Sequence, residues 1–343
     1  MTPDPTSPPL VALEHCPVCG GSRRTPVLGP HGGITLVRCD DCGLVHATAG
    51  YAPRMLDEHY AERARRAPRR DAAGPRPGSE RKRPALALYD RLTGGRISSV
   101  PPGARALDVG CNTGLLLDLL REAGYRTVGI ERSPSAAEAV AAGHEVHAID
   151  VEAGGLELPE RFDLITMTHV LEHLRRPTAA LRWLRDQLAP DGVLVVEVPN
   201  WGDRARPLWG PRYRPLELGD HLSFFERHTL TALAHRAGLQ VRVLWSAAQA
   251  RSLLFPSLLT AVDLGLGAAR RIRGRSSSAA GVGVASERVS GGSSRWRHRV
   301  VSRVLEGLDR LDPVLERVVG SDWEHGANLV AVLAPDPSHA PTH

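Results

Sequence analysis

A chain of 343 residues with 42% hydrophobic content and a net charge of +5 is long enough for one large domain with its own core and one small module. The charge is uneven, with +6 in residues 62 to 84 and +8 in residues 250 to 303, so the remainder is acidic. That distribution argues against a broad nucleic-acid platform. Residues 1 to 9, proline-rich and nearly uncharged, lack the pattern of a secretory leader, so a cytoplasmic location is expected.

In chain order, the first organised segment is a module at residues 10–60. Cys16-Pro17-Val18-Cys19-Gly20 and Cys39-Asp40-Asp41-Cys42-Gly43 form two C-x2-C knuckles separated by 19 residues, a spacing that suits structural zinc. Four thiolates complete a tetrahedral shell and leave no position for a water, so Cys16, Cys19, Cys39 and Cys42 are expected to fold the module and take no part in the chemistry. In a reducing compartment this reading outweighs disulfides or a redox pair. His15, His31 and His46 then have surface or supporting roles.

Residues 61–84 mix Arg, Pro, Ala and Gly without apolar periodicity and read as a basic linker or lid. The core is expected over 85–250, opening with a helix at 85–96. Leu107-Asp108-Val109-Gly110-Cys111-Asn112-Thr113-Gly114 then runs from a short apolar strand into a glycine-punctuated turn and a helix. Such a turn brings backbone amides and a helix N-terminus up to a nucleotide-like ligand. Asn112 is among the few residues other than glycine that tolerate positive φ. The spacing G-x-x-x-G departs from the dinucleotide pattern G-x-G-x-x-G. Cys111 reads as a small buried residue.

This segment resembles motif I of the class I S-adenosylmethionine (SAM) methyltransferases. Further segments resemble the same family in order: strand Arg126 to Ile130 ending in Glu131, strand Glu145 to Ile149 ending in Asp150, Phe162 to Leu174 as the fourth strand and the start of its helix, and Leu188 to Asn200 as the fifth strand. The N-terminal run is similar to the zinc-ribbon segment of bacterial sugar and natural-product methyltransferases. The resemblance implies an α/β fold: a Rossmann-like seven-stranded sheet, with the zinc ribbon in front and a helical insertion before the last strand. It implies that Asp108, Gly110, Cys111, Asn112, Gly114, Glu131, Asp150, Val151 and Thr168 hold SAM, with Glu131 on the ribose hydroxyls and Asp150 near the adenine.

The segment from Asn200 to Phe225 carries Trp201, Trp209, Tyr213, Phe224 and Phe225 together with Arg204, Arg206, Arg212 and Arg214. Leaving the carboxyl end of a strand, it can offer ring faces and cationic donors to an acceptor, or pack against the sheet. Helix 228–237 and strand Leu239–Trp245 follow, the latter to pair antiparallel with a last strand at 327–335. Between them lies an insertion at 251–326. It holds an apolar, arginine-flanked stretch at 253–275 that can contact a membrane surface, wall a pocket or join two subunits. Residues 276–294 are Ser/Gly/Ala-rich and read as disordered.

Methyl transfer from a sulfonium needs an aligned acceptor and a base. The related sugar methyltransferases carry an acidic-His pair that His221 and Asp220 match, although Leu218 stands where their tyrosine would be. His221 is therefore expected to be the base, for an oxygen acceptor ahead of carbon. His169, Glu172 and His173 form a second constellation. It can bind a divalent ion, as similar residues do in some RNA 2′-O-methyltransferases, but helix capping with cofactor contact is the favoured reading, and His169 faces the substrate. The overall expectation is methylation of a sugar, a nucleotide-linked sugar or a biosynthetic intermediate. The alternatives are an RNA methyltransferase, against which the ribbon lacks interleaved aromatics, and a non-catalytic SAM-binding protein. Oligomeric state stays open.

Overall fold

A computed structural model of the chain describes residues 9–52, 82–154, 158, 160–204, 206–209, 216–246 and 325–339. The basic linker (apart from 82–84), Tyr213 and the arginines near it, and nearly all of the 251–326 insertion, including 253–275, lie outside the described residues. No helix among the described residues is long and apolar enough to cross a membrane.

Five short strands form the N-terminal part: β1 (Leu10–Ala12), β2 (Arg24–His31), β3 (Ile34–Cys39), β4 (Val45–Ala47) and β5 (Ala49–Tyr51). Helix α1 (Arg83–Leu92) opens the main α/β part, followed by β6 (Arg105–Val109), α2 (Leu115–Ala123), β7 (Arg126–Ile130), α3 (Ala136–Ala141) and β8 (Glu145–His147). Next come β9 (Phe162–Thr168), a single 3-10 turn at Leu171–His173, α4 (Pro177–Gln187) and β10 (Leu188–Pro199). Past the four-residue α5 (Arg206–Trp209) lie β11 (Ser223–Phe224), α6 (Arg227–Arg236), β12 (Leu239–Trp245) and β13 (Asn328–Pro335).

The main sheet has seven strands in the order β12-β13-β10-β9-β6-β7-β8. The run from β10 to β8 is parallel, while β13 is antiparallel to both β10 and β12. Central strands buried on both faces are read as near-continuous apolar runs, and β9 (FDLITMT) and the second half of β10 (VLVVEVP) are of this kind. β6 has β7 on one side and β9 on the other, so the chain order reverses there and a crevice opens beyond the strands' carboxyl ends.

Local chemistry places the helices. Gly124 ends α2 in the left-handed region at φ 112 with its amide on Arg121 O, the usual glycine stop. Pro177 starts α4 at a position whose N–H would be orphaned anyway. Glu226 and Thr229 cap α6 reciprocally: the Thr229 hydroxyl accepts from Glu226 N at 2.9 Å, and the Glu226 side chain accepts from the backbone of Thr229.

The small N-terminal sheet takes its fourth strand from the distant β11, in the order β11-β4-β3-β2, with Ser223 opposite His46 and Phe224 opposite Val45. Cys16, Val18, Cys39 and Leu44 also belong to the same buried cluster as Leu107, Ile165, Val196, Phe225 and Leu230. The two sheets thus share one core. The expected helix directly after β9 is replaced by the isolated 3-10 turn, because α4 restarts only at Pro177, which favours extended backbone in the residue before it.

Candidate active site

The turn after β6 has the backbone that its composition demands. Gly110, Asn112 and Gly114 sit at φ 75, 50 and 80. A Cβ on Gly110 would collide with Val170 Cγ2, and one on Gly114 would come within 2.9 Å of Ala139 Cβ. The amides of Gly110 and Cys111 both donate to Ile130 O, at 2.8 and 3.1 Å, which ties the turn to the end of β7. Cys111 is buried beside Gly129, and burial pushes its thiol up, away from nucleophilic thiolate.

Glu131, just past β7, accepts from Asn112 N at 3.0 Å and Ser133 N at 2.7 Å. Asp150, past β8, is exposed, accepts from Glu152 N at 2.9 Å and lies 3.7 Å from Arg132 Nη1. Val151 beside it is buried. Asp108 is different: it sits inside the sheet, fully buried, and accepts from Thr166 Oγ1 at 2.7 Å. Desolvation raises its pKa to about 6. Glu131 directly follows β7, whereas β8 ends at His147, short of the expected Ile149, so Asp150 stands three residues beyond it.

β9 ends at Thr168, and His169 follows it. His169 is in the left-handed region at φ 54, a conformation a non-glycine residue adopts at a cost. Its imidazole is 44% exposed, with Nδ1 3.2 Å from the buried Glu172 Oε1 and Nε2 3.7 Å from Glu197 Oε1. Burial lowers the pKa of His169, but the Glu172 hydrogen bond and the charges of Glu172 and Glu197 outweigh it and leave the pKa raised. Burial likewise pushes the Glu172 carboxyl up, and the opposing His169 hydrogen bond and nearby histidine charges keep it lowered, hence ionised.

Three residues that sequence reasoning did not select complete this wall. Tyr89 of α1 is buried with its hydroxyl 2.5 Å from Glu197 Oε2 and 3.0 Å from Thr168 Oγ1, and Asn328 Nδ2 donates to Glu197 Oε1 at 2.6 Å. The one available signal was an acid in the apolar run of β10, which a buried strand carries only when partners satisfy it.

Asp220 and His221 lie on the other side of the 3-10 turn. Asp220 Oδ1 is 3.2 Å from His173 Nδ1, and the rings of His173 and His221 meet edge-on at 4.6 Å. His173 has its pKa raised to about 9: burial alone would lower it, and the hydrogen bond to Asp220 with the charges of Glu172 and Asp220 prevails. Leu222 N donates to Glu172 O at 2.8 Å, which clamps this loop onto the turn. Of the loop aromatics, Trp201, Phe224 and Phe225 are core residues, at most 5% exposed. They do not present ring faces to a ligand. The side chains of Trp209 and Tyr213 lie outside the described residues.

In the N-terminal module the four cysteines converge, each sulfur within 4.8 Å of the others, with Cys19–Cys39 at 3.4 Å and Cys16–Cys42 at 3.6 Å. Zn–S bonds of about 2.3 Å put tetrahedral sulfurs about 3.8 Å apart. The glycine after each knuckle takes positive φ, and its amide closes the turn on Cys16 O or Cys39 O, both at 2.9 Å.

The arrangement of a motif I turn, acids after β7 and β8, and a polar wall at β9 coincides with a sequence match: residues 60–244 fit a family described as a methyltransferase domain. The chain belongs to that methyltransferase family. Its fold is the Rossmann-like seven-stranded sheet expected from the sequence. Among similar proteins, a ubiquinone biosynthesis O-methyltransferase of Pseudomonas entomophila is 30% identical over 154 residues, 41% of this chain and 66% of that one. The Xanthomonas campestris protein of the same name is 35% identical over 107 residues, 29% of this chain and 44% of its own. The methyltransferase thus aligns with less than two thirds of the length of either relative. A solved SAM-dependent methyltransferase from Archaeoglobus fulgidus is 16% identical with a TM-score of 0.43, over 74% of this chain and 93% of the other.

Proposed function

We propose that this methyltransferase moves the SAM methyl group to an oxygen of a small-molecule acceptor, with His169 as general base. One observation carries the reading: a half-exposed imidazole is held at φ 54 at the carboxyl end of β9, with Nδ1 against the buried, ionised Glu172. A carboxylate on Nδ1 fixes the tautomer and leaves Nε2 to accept a proton. His221, the base anticipated from sequence, is only 7% exposed and packs edge-on against His173, which suits a buried supporting role. The O-methyltransferase names of the two relatives support an oxygen acceptor. Sugar and natural-product intermediates remain the acceptor classes suggested by the zinc-ribbon resemblance.

SAM, when bound, supplies an electrophilic methyl on a sulfonium. The chain's residues bind and orient it: Gly110, Asn112 and Gly114 allow close backbone approach, Glu131 presents a carboxylate to the ribose, and Asp150 with Val151 borders the adenine. Thr168, fixed by Tyr89, lines the acceptor side. Zinc is the metal proposed for the four cysteines, on the sulfur spacing, and its role there is to hold the knuckles together.

The test is methyl-labelled SAM with purified protein and separated small-molecule and RNA fractions of a bacterial extract. Label in the small-molecule fraction is expected, falling about 10²- to 10⁴-fold in His169→Asn with SAM affinity retained. Ribonuclease-sensitive label would overturn the small-molecule reading, and wild-type turnover in His169→Asn would remove the base from His169.

A further inference from the structure

We infer that His144 and Asp118, a buried pair packed against the turn after β6, are positioning residues for the cofactor: they hold that turn and β7 at the spacing SAM binding requires. Their role rests on the SAM-binding reading of the turn, independently of the acceptor and of the base at His169.

The pair is shut away from solvent. The His144 side chain is 0% exposed and that of Asp118 12%, with His144 Nε2 2.8 Å from Asp118 Oδ1. The other ring nitrogen, Nδ1, lies 3.2 Å from Thr127 Oγ1. Nε2 donates to the carboxyl oxygen, and the Thr127 hydroxyl, able to donate or to accept, serves Nδ1. Both nitrogens are thus engaged.

The groups joined here come from three successive parts of the chain. Asp118 lies in the first turn of α2, Thr127 in β7, and His144 directly before β8. Arg121 adds a second tie, with Nη2 donating to Asp118 Oδ1 and Nη1 to Ala142 O, both at 3.2 Å. The imidazole also packs against the cofactor turn itself, since a Cβ on Gly114 would come within 3.2 Å of His144 Cδ2. Gly114 is the N-cap of α2, and no side chain caps that end, which leaves its first amides to a ligand. Thr127 belongs to the strand that Glu131 directly follows. One ring therefore sets the distance between the turn and the acid proposed to hold SAM.

Stability alone does not account for such a pair. Buried polar partners are often worth no more than apolar side chains of the same volume, whereas hydrogen bonds of defined direction fix the placement of the groups they join. Apolar packing between α2 and the residues before β8 would leave that spacing free to vary.

The experiment measures SAM affinity by calorimetric titration and the melting temperature of the SAM-free protein, side by side, in the zinc-loaded full chain. His144→Ala is expected to weaken SAM binding about 10- to 100-fold, as misplacement of a binding group by about 1 Å does, at a temperature where the variant is folded. His144→Gln, whose amide nitrogen can still donate to Asp118, should recover most of that loss. A lower melting temperature with SAM affinity unchanged would leave the pair a purely structural role and overturn the inference. Should His144→Ala fail to fold, hydrogen exchange on the wild type decides. SAM is expected to slow exchange in α3 and up to His144 together with α2; protection confined to α2 would sink the coupling. A wild type that takes up no SAM would overturn the cofactor reading as well, so the two failures are distinguishable.

Discussion

Asp108 is a buried carboxylate whose ionisation works against the stability of the fold. Its pKa of about 6, against 3.8 for an exposed aspartate, means that between about pH 4 and 6 the folded apoprotein holds a proton that the unfolded chain has released. Its contribution to stability is therefore complete below about pH 4 and lost as pH rises to about 6, by roughly 3 kcal/mol for a shift of about two units. Asp108→Asn is expected to raise the melting temperature of the SAM-free protein at neutral pH and to weaken SAM binding; denaturation scans with and without SAM measure both. Gly114 makes the opposite case. A Cβ there meets Ala139 at 2.9 Å on a backbone at φ 80, so Gly114→Ala should cost about 1 to 3 kcal/mol and loosen the turn, read as lower stability together with weaker SAM binding.

At the scale of elements, the pairing of β4 with β11 is the decisive contact. Ala47 N donates to Leu222 O and Tyr51 N to Gly219 O, at 2.9 and 2.8 Å, and Gly219 lies against the Tyr51 ring. The loop that carries Asp220 and His221 is thus an extension of the cysteine-stapled sheet. Removing zinc with a strong chelator, or Cys39→Ser, should therefore lower turnover as well as unfold the knuckles, and zinc readdition should restore both in the wild type. A detached metal module would leave turnover untouched. Element type was largely legible: β6, β7 and the β12–β13 pair follow directly from their apolar runs. The turn after β9 was not, because helical spacing of His169, Glu172 and His173 says nothing of Pro177, which restarts the helix later.

For the whole molecule, one continuous core beneath both sheets means that the N-terminal strands are part of the folding unit. A chain beginning at Lys82 loses Cys16, Val18, Cys39 and Leu44 from the buried cluster that also holds Phe225 and Leu230. It is expected to aggregate or to melt well below the zinc-loaded full chain, which should unfold in one transition with the main sheet. Recovery of a stable, soluble, SAM-binding fragment from residue 82 onward would contradict the shared core.

By itself the sequence determined what depends on local spacing. The cysteine knuckles and the glycine turn with Asn112 at positive φ follow from residue spacing and backbone permissiveness, which act over a few positions, while Glu131, Asp150 and the succession of strands were legible through the resemblance to the methyltransferase family. Tertiary structure alone decided what depends on partners far apart in the chain. It set Asp220 against His173, gave Glu197 to Tyr89 and Asn328, set buried Glu172 Oε1 against His169, and drew β11 into the small sheet. Burial turns such polar groups into obligate pairs, and which pairs form is settled only when the strands are stacked.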